Sequence, residues 1–574
     1  MKILGISAFY HDSAAALIVD GKIVAAVEEE RFSGKKHDPS FPYKSIDWIL
    51  KSNNLKISDI DKIAWYECPT LKKDRIRKTF WKRFPKSLGI IFDFLTWKKR
   101  TDPIPHLKKI GWDKNVHFVE HHISHLAYSF LTSNFEKAVL ISVDGVGEWD
   151  TAVYGVGVNN TYVQPLERVS YPNSLGMFYA TLTSFLGFKP NSGEYKVMGL
   201  AAFGSTKDKF KKEMEKLIWW NNKTNQFEMN MKYFSYEYSN KKMYTFELAK
   251  LFNISPRVPE SELEQIHKDI AFSLQSHYER IFFKFLNYAY SKTPYDNLCL
   301  SGGCAYNGTA NGKILEKTKF KNVYIPPAPS DSGSAIGAAL SIYYKYKNVK
   351  IRDYNNVSAY LGPKYTDADY ELSIFYHHHN NVQKIDRKKV KKYLKESDLI
   401  EDVSTYLKEG KIIGWFQGRT EFGARALGNR SILANPCIPD IKPKVNKVIK
   451  KREGFRPFAP MVTSQDADKY FQMNGQKVPY MNQVVKVKDS FIANLPSITH
   501  VDGTARVQTL EEKINPLMHS LLKKFEYKSG YPILLNTSFN LRGQTMVNTP
   551  NEAIWTFQNC EMDYLVIGNY IISK

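Results

Sequence analysis

The sequence lacks most marks of a secreted, membrane-spanning or zinc-thiolate protein. Its 574 residues include only five cysteines, Cys68, Cys299, Cys304, Cys437 and Cys560, with no C-x-x-C pair. An odd, scattered set argues against a disulfide framework or a thiolate zinc site and fits reduced thiols in the cytosol. No apolar run reaches the roughly 18 residues that a bilayer-spanning helix needs. The opening MKILGISAFYHDSAAALIVDG is broken by His11, Asp12 and Ser13, so it reads as two strands and a turn rather than a signal peptide, and a cytoplasmic protein is expected. No G-x-x-x-x-G-K-[ST] occurs, which excludes a P-loop. Acidic residues are also scarce: 58 face 81 basic ones, a net charge of +23. That imbalance implies affinity for something anionic, whether nucleic acid, a phosphorylated substrate or an anionic membrane surface.

What is present is organised. The length predicts two or three domains. Residues 3–25 and 140–162 share a pattern of apolar strand, polar Gly/Asp/Ser turn, second strand and tight turn, the last being Asp20-Gly21 and Asn159-Asn160. Two such hairpins predict a duplicated α/β unit whose polar turns face one cleft. A third small-residue turn, SDSGSAIGAAL, opens a helix at Asp331. Before it, the strand LCLSGG leads through Gly302 and Gly303 towards Asn307 and Asn311. That corner is either a nucleotide cradle or a close-packed strand–helix junction. The pattern places a first domain over 1–350, a polar linker over 351–400 and a fresh α/β domain over 401–574. The tandem His377, His378 and His379 read as a solvated loop within the linker.

Residues 72–109 carry thirteen Lys or Arg against three Asp, interleaved with Phe80, Trp81, Phe84, Phe92, Phe94 and Trp97. Such a mixture suits a nucleic-acid backbone with stacked bases or a lipid headgroup interface, and equally an insertion whose aromatics pack while its lysines are solvated.

Two constellations carry chemistry. In EHHISHLAYSF, His121 and His125 stand at i and i+4 and share a helix face, while His122 points elsewhere. Asp144 in SVDGVGE and Asp331 could complete a two-histidine, two-carboxylate site for Fe(II), Mn(II) or Zn(II). Towards the C-terminus, Arg419, Arg425 and Arg430 lie among glycines in WFQGRTEFGARALGNRSILANP. Lys447, Lys450, Arg452 and Arg456 follow, then Arg506, then Asn536, Thr537, Ser538 and Asn540 in LLNTSFNLRG. Fork-shaped donors beside approachable backbone fit a multiphosphate ligand; a basic surface with incidental glycines is the alternative.

These stretches, with FYHDSAAAL (9–17), EEERFSGKKH (28–37), GEYKVMGLAAFG (193–204), LSGGCAYNGTAN (300–311), REGFRPFAP (452–460) and HVDGTARVQT (500–509), resemble the NodU/CmcH-type O-carbamoyltransferases in order over nearly the whole chain. The resemblance implies an α/β protein with an N-terminal actin/sugar-kinase-like domain and a C-terminal YrdC-like domain. It implies that the C-terminal domain makes carbamoyl-adenylate from carbamoyl phosphate and ATP, with Mg, and that the N-terminal domain transfers the carbamoyl group to a hydroxyl. It assigns His121, His125, Asp144 and Asp331 to a metal, most readily Fe(II), His11 to a general base, and Lys36 to the carbamoyl or phosphate group. Gly302, Gly303, Asn307 and Asn311 would receive carbamoyl-adenylate, and the C-terminal arginine set would bind ATP and carbamoyl phosphate. A sugar or small metabolite is the expected acceptor. The net charge keeps a polyanion open as the alternative, such as a hydroxymethylated base in DNA or RNA, or a lipid-linked glycan. A homodimer is compatible with this reading.

Overall fold

The computed structural model describes residues 1–159, 161–347, 358–376 and 383–574; Asn160 and the histidine run at 377–379 lie outside them. The chain forms two compact units, Met1–Glu29 with His37–Val357, and Glu30–Lys36 with Ser358–Lys574.

The first unit contains the same sheet twice. Strands β1 (Lys2–Ser7), β2 (Ala14–Val19), β3 (Lys22–Glu28), β4 (Lys62–Trp65) and β5 (Val116–Phe118) lie in the order β3-β2-β1-β4-β5. β1 to β3 form an antiparallel meander, and β4 and β5 add in parallel. β6 (Ala138–Val143), β7 (Asp150–Val158) and β8 (Tyr162–Ser170) form a second meander. After a small hairpin of β9 (Ile218–Asn221) and β10 (Gln226–Met229), β11 (Asn297–Ser301) and β12 (Asn322–Tyr324) extend that meander in parallel, giving β12-β11-β6-β7-β8. The repeated order is the duplicated α/β unit that the two hairpins predicted. The central strands KILGIS and AVLISV are nearly continuous apolar runs because both faces are covered. At the β2–β3 turn Asp20 and Gly21 both have positive φ, 48° and 82°, the requirement of a two-residue turn that matches strand twist.

Between the sheets lie the helices His121–Leu131 and Asp331–Lys347, in unusually close approach. A Cβ on Gly337 would stand 1.8 Å from the Ser124 carbonyl oxygen, and one on Gly5 of β1 1.9 Å from that of Ala335. Glycine at these points lets backbone press on backbone and carries Asp331, at its helix start, to the histidines.

The basic aromatic stretch is a helix Pro69–Lys82, a turn Lys86–Ile90 and a helix Ile91–Thr101. Phe80 is buried and stacks on Phe94 at 4.1 Å between ring centres. Several of its cations serve the fold: buried Lys72 reaches both oxygens of Glu67 at 2.8 and 2.9 Å, Arg83 pairs with Glu237, and Arg75 lies over the Tyr171 ring.

The second unit is built on an eight-stranded sheet, β13-β22-β21-β14-β15-β20-β16-β19. Its strands are β13 (Val390–Lys392), β14 (Ile413–Phe416), β15 (Arg430–Ala434), β16 (Ala459–Thr463), β19 (Gln508–Leu510), β20 (Ile533–Ser538), β21 (Tyr564–Ile567) and β22 (Tyr570–Ser573), with β17 (Val484–Lys486) and β18 (Thr504–Arg506) paired beside it. Side chains alternate between two cores: Ile432 and Ala434 face one and Leu433 the other, as Ile533 and Leu535 oppose Leu534. Helices Glu396–Lys408 and Pro516–Ser529 cover one face, Asp367–Phe375 and Pro550–Gln558 the other. The 351–400 region, read above as linker, therefore holds core residues: Tyr370 and Ile374 are buried in this unit. Its polar composition reflects a helix with one covered face.

Candidate metal centre and cationic cluster

In the first unit the His121–Leu131 helix begins at the site. The Glu148 carboxylate accepts the His121 N–H at 3.0 Å and the Cys68 N–H at 2.6 Å, placing negative charge where the helix start favours it. His121 and His125 turn their Nε2 atoms inward, 3.0 Å apart and 2.9 and 3.2 Å from Asp144 Oδ2. The other oxygen of Asp144, Oδ1, accepts the N–H groups of Gly145 at 2.8 Å and Gly303 at 3.2 Å. Asp331 Oδ1 lies 3.7 and 3.8 Å from the two Nε2 atoms. One donor atom from each of the four residues falls within 4.8 Å of all the others.

The electrostatics call for a cation. Asp331 is buried, and neither of its carboxylate oxygens has a hydrogen-bond partner; burial pushes its pKa up, opposed by His11 and His121. An ionised carboxylate in that position is costly unless a positive charge balances it. For His121 burial works against the proton, yet Asp331 and Asp144 outweigh it and raise the ring to about 9. The four residues fit a divalent ion of the kind that takes imidazole and carboxylate together. Ser334 Oγ, 3.1 Å from His125 Nδ1, fixes that ring from behind. His122 is built differently. Burial, then His121 and His125, drive its pKa well down. Its Nε2 lies 2.9 Å from the Asp150 carbonyl and its Nδ1 2.8 Å from Ser142 Oγ. The neutral ring donates from Nε2 to the carbonyl and accepts the serine proton at Nδ1.

His11 stands beside this centre, with Nε2 3.9 Å from Asp331 Oδ2 and Nδ1 3.0 Å from Asp12 Oδ2. The other Asp12 oxygen meets His37 Nδ1 at 2.7 Å. Phe9 and Asp12, flanking His11, both have positive φ, 77° and 51°, so the loop is held in a conformation that non-glycine residues seldom adopt. Burial opposes the charge on His11, but Asp331 and Asp12 raise it to about 10. Gly302 (φ 87°) and Gly303 form the floor: a Cβ on Gly302 would strike the Val143 carbonyl oxygen at 2.2 Å. Asn307 and Asn311 are used locally. Asn307 caps the Ala310 N–H and exchanges two hydrogen bonds with Gln275, and Asn311 donates to the Ala305 carbonyl.

The second unit divides its basic set by role. Arg430 is wholly buried. Its guanidinium lies 3.7 Å over the Phe416 ring and donates to the carbonyls of Gln417, Gly418, Asn429 and Pro363. Glu421 complements it by accepting the N–H groups of Leu427, Asn429 and Arg430 at 2.8, 2.8 and 3.1 Å. Arg419 likewise donates to the Gly362 and Leu361 carbonyls, and Asn536 to Gln508 and the Ala426 carbonyl. Much of the arginine–glycine loop is thus a self-bonded structure, and Arg425 sits half-buried upon it.

Of the two lysines named from the sequence, Lys450 and not Lys447 holds the centre of the cationic cluster. Lys450 is 4% exposed; its ammonium donates to Asn540 Oδ1 at 2.8 Å, to the Asn540 carbonyl at 2.9 Å and to the Ser538 carbonyl. Burial, then Arg452, Lys36 and Arg456, push its pKa well below the lysine range. Lys450 thus lies at the end of β20, with Arg452, Arg456 and Lys36 near enough to oppose its charge; Arg452 donates to Asn446 Oδ1 at 2.7 Å and Arg456 lies 3.7 Å from Glu453. Lys447, chosen from the sequence, is exposed. The π-helical turn Val445–Ile449 ends at Lys450 and directs it inward. Lys36 belongs to this unit through the segment Glu30–Lys36, in which Arg31 donates to the Gly423 carbonyl at 2.8 Å. Arg506 and Thr537 are half-exposed in the same unit.

The first unit is thus a duplicated α/β domain with a buried histidine–aspartate cluster, and the second an α/β domain with a sunken lysine. The chain belongs to the carbamoyltransferase family: it matches the model for the carbamoyltransferase N-terminus over residues 2–340 and that for the C-terminus over 404–574. Nodulation protein NolNO of Sinorhizobium fredii is 34% identical over 99% of this chain and 79% of its own length. The 3'-hydroxymethylcephem-O-carbamoyltransferase of Amycolatopsis lactamdurans is 26% identical over 97% of each chain. An uncharacterized protein of Synechocystis sp. is 39% identical over 100% of this chain and 96% of its own length. The protein is a carbamoyltransferase.

Proposed function

We propose that the protein is an ATP-dependent O-carbamoyltransferase that works through carbamoyl-adenylate. The observation that carries the ATP-using half is Lys450, buried at the end of β20 against Ser538 and Asn540 with Arg452, Arg456 and Lys36 in its electrostatic surroundings, a cationic cluster suited to a polyphosphate. Atom balance sets the order: carbamoyl phosphate loses phosphate to water, the carbamate oxygen attacks the α-phosphorus of ATP, and pyrophosphate leaves. The cations stabilise charge on the phosphoryl oxygens and on departing pyrophosphate. In the second reaction a hydroxyl of the acceptor attacks the carbamoyl carbon, and AMP is the leaving group. His11, neutral once a cation balances the Asp331 and Asp144 charges that otherwise hold its proton, takes the hydroxyl proton at Nε2, and Asp12 holds its ring through Nδ1. His121, His125, Asp144 and Asp331 would hold a divalent ion, Fe(II) or else Mn(II) or Zn(II), which when bound supplies positive charge beside the leaving phosphate and offsets Asp331. Carbamoyl phosphate, ATP with Mg and a hydroxyl-bearing small molecule are the substrates. The hydroxymethyl named for the cephem relative supports an acceptor of that size.

The test is direct. Protein with ATP and carbamoyl phosphate should release pyrophosphate, and Lys450→Met should stop it; full release by Lys450→Met removes the proposed site. His11→Ala should keep pyrophosphate release while transfer to a carbamoyl acceptor falls by about 10²–10⁴-fold. Loss of both reactions would place His11 elsewhere in the chemistry.

A further inference from the structure

We propose that the knuckle over residues 81–95 docks the protein on an anionic lipid bilayer surface. Trp81, Phe84, Leu88, Ile91, Phe92 and Leu95 are all exposed, Phe92 by 79% and Leu95 by 67%. Single exposed apolar side chains are ordinary on any protein, but six within one short knuckle mark an interaction surface. Leu88, Ile91, Phe92 and Leu95 recur at three- and four-residue spacing and so form one stripe. The inner side of the knuckle holds its shape without them: Phe80 stacks on Phe94, and buried Ser87 donates to the Phe80 carbonyl at 2.7 Å.

Exposed Arg77, Lys78, Lys82 and Lys86 flank the stripe. Arg77 and Lys78 share Asp74, and Asp93 accepts from the Asn240 amide, so with Lys82 and Lys86 the margin stays net positive. Apolar side chains inside a basic margin match the boundary between acyl chains and anionic headgroups. The composition favours lipid over two other occupants. Bases could stack on Trp81, Phe84 and Phe92, but Leu88, Ile91 and Leu95 have no stacking use on a nucleic acid. A second copy would bring two lysine-flanked patches face to face, setting like charges together.

The test uses the full chain in vesicle co-sedimentation, with equimolar phosphatidylglycerol and phosphatidylcholine against phosphatidylcholine alone. The protein should pellet with the anionic vesicles and stay largely soluble with the neutral ones. Phe92→Glu/Leu95→Glu and, separately, Lys82→Glu/Lys86→Glu should each weaken pelleting by about tenfold or more. Both variants alter exposed positions, and an unchanged melting temperature verifies their fold. No binding to anionic vesicles, or binding unaffected by Phe92→Glu/Leu95→Glu, overturns the proposal. So does a dimer dissolved by that variant, or binding to DNA, where vesicle binding is absent.

Discussion

At the residue scale, neighbours of one type divide sharply by environment. Three histidines in five positions become two inward-facing donors and one neutral ring fixed between a serine and a carbonyl. His121→Ala or His125→Ala should therefore abolish stoichiometric binding after Fe(II) loading, measured by elemental analysis, while His122→Ala should retain most of it. Lys450 supports a proton-linkage prediction. Its depressed folded-state pKa lowers stability fully at pH values below that pKa, and the loss is relieved as pH rises towards the ordinary lysine value near 10.4. An anion in the pocket restores the ammonium form, so pyrophosphate should bind with proton uptake and bind more weakly as pH rises through the unliganded pKa. Calorimetry in two buffers of different ionisation enthalpy reads that uptake, and Lys450→Met should remove it. The sequence exposed the histidine pair because helical spacing is visible in one dimension. It offered Lys447 and Lys450 alike and could not rank them, since the π-helical turn decides which lysine faces inward. Arg430 misled for another reason: nothing in a string of letters shows that backbone carbonyls already surround a guanidinium.

At the element scale, the centre depends on how closely two helices approach. Asp331 reaches the histidines because Gly337 and Gly5 admit backbone contact where a methyl has no room. Gly337→Ala should separate the helices, cost about 1–3 kcal/mol of stability and weaken metal binding although no ligand has changed. Thermal unfolding and metal titration measure the two effects. The hairpin repeat was legible because turn chemistry and strand alternation are local signals. The parallel additions β4, β5, β11 and β12 were not, since their pairing spans long separations that no periodicity records. Burial on both faces likewise erased the alternation that would have marked several strands.

At the scale of the whole molecule, the family and the duplicated fold were legible from motifs that keep their order along the chain. The partition of residues between the two units was not. Residues 30–36 precede most of the first unit in sequence yet count with the second, and no change in composition marks that excursion. A fragment starting at residue 358 lacks both the Arg31 bond to Gly423 and Lys36. It should be less stable than a fragment supplied with a peptide covering 28–37, and added peptide should raise its melting temperature.

The same excursion bears on how such a chain can change over time. Because the path enters the second unit at residue 30, returns at residue 37 and enters again at residue 358, no single junction separates the two centres. A gene fusion or exchange made between the halves would leave seven residues, Lys36 among them, on the wrong partner. Swapping one half for that of a relative should succeed only when the 30–36 segment travels with the C-terminal half, so inheritance of the two units is coupled by one short clip.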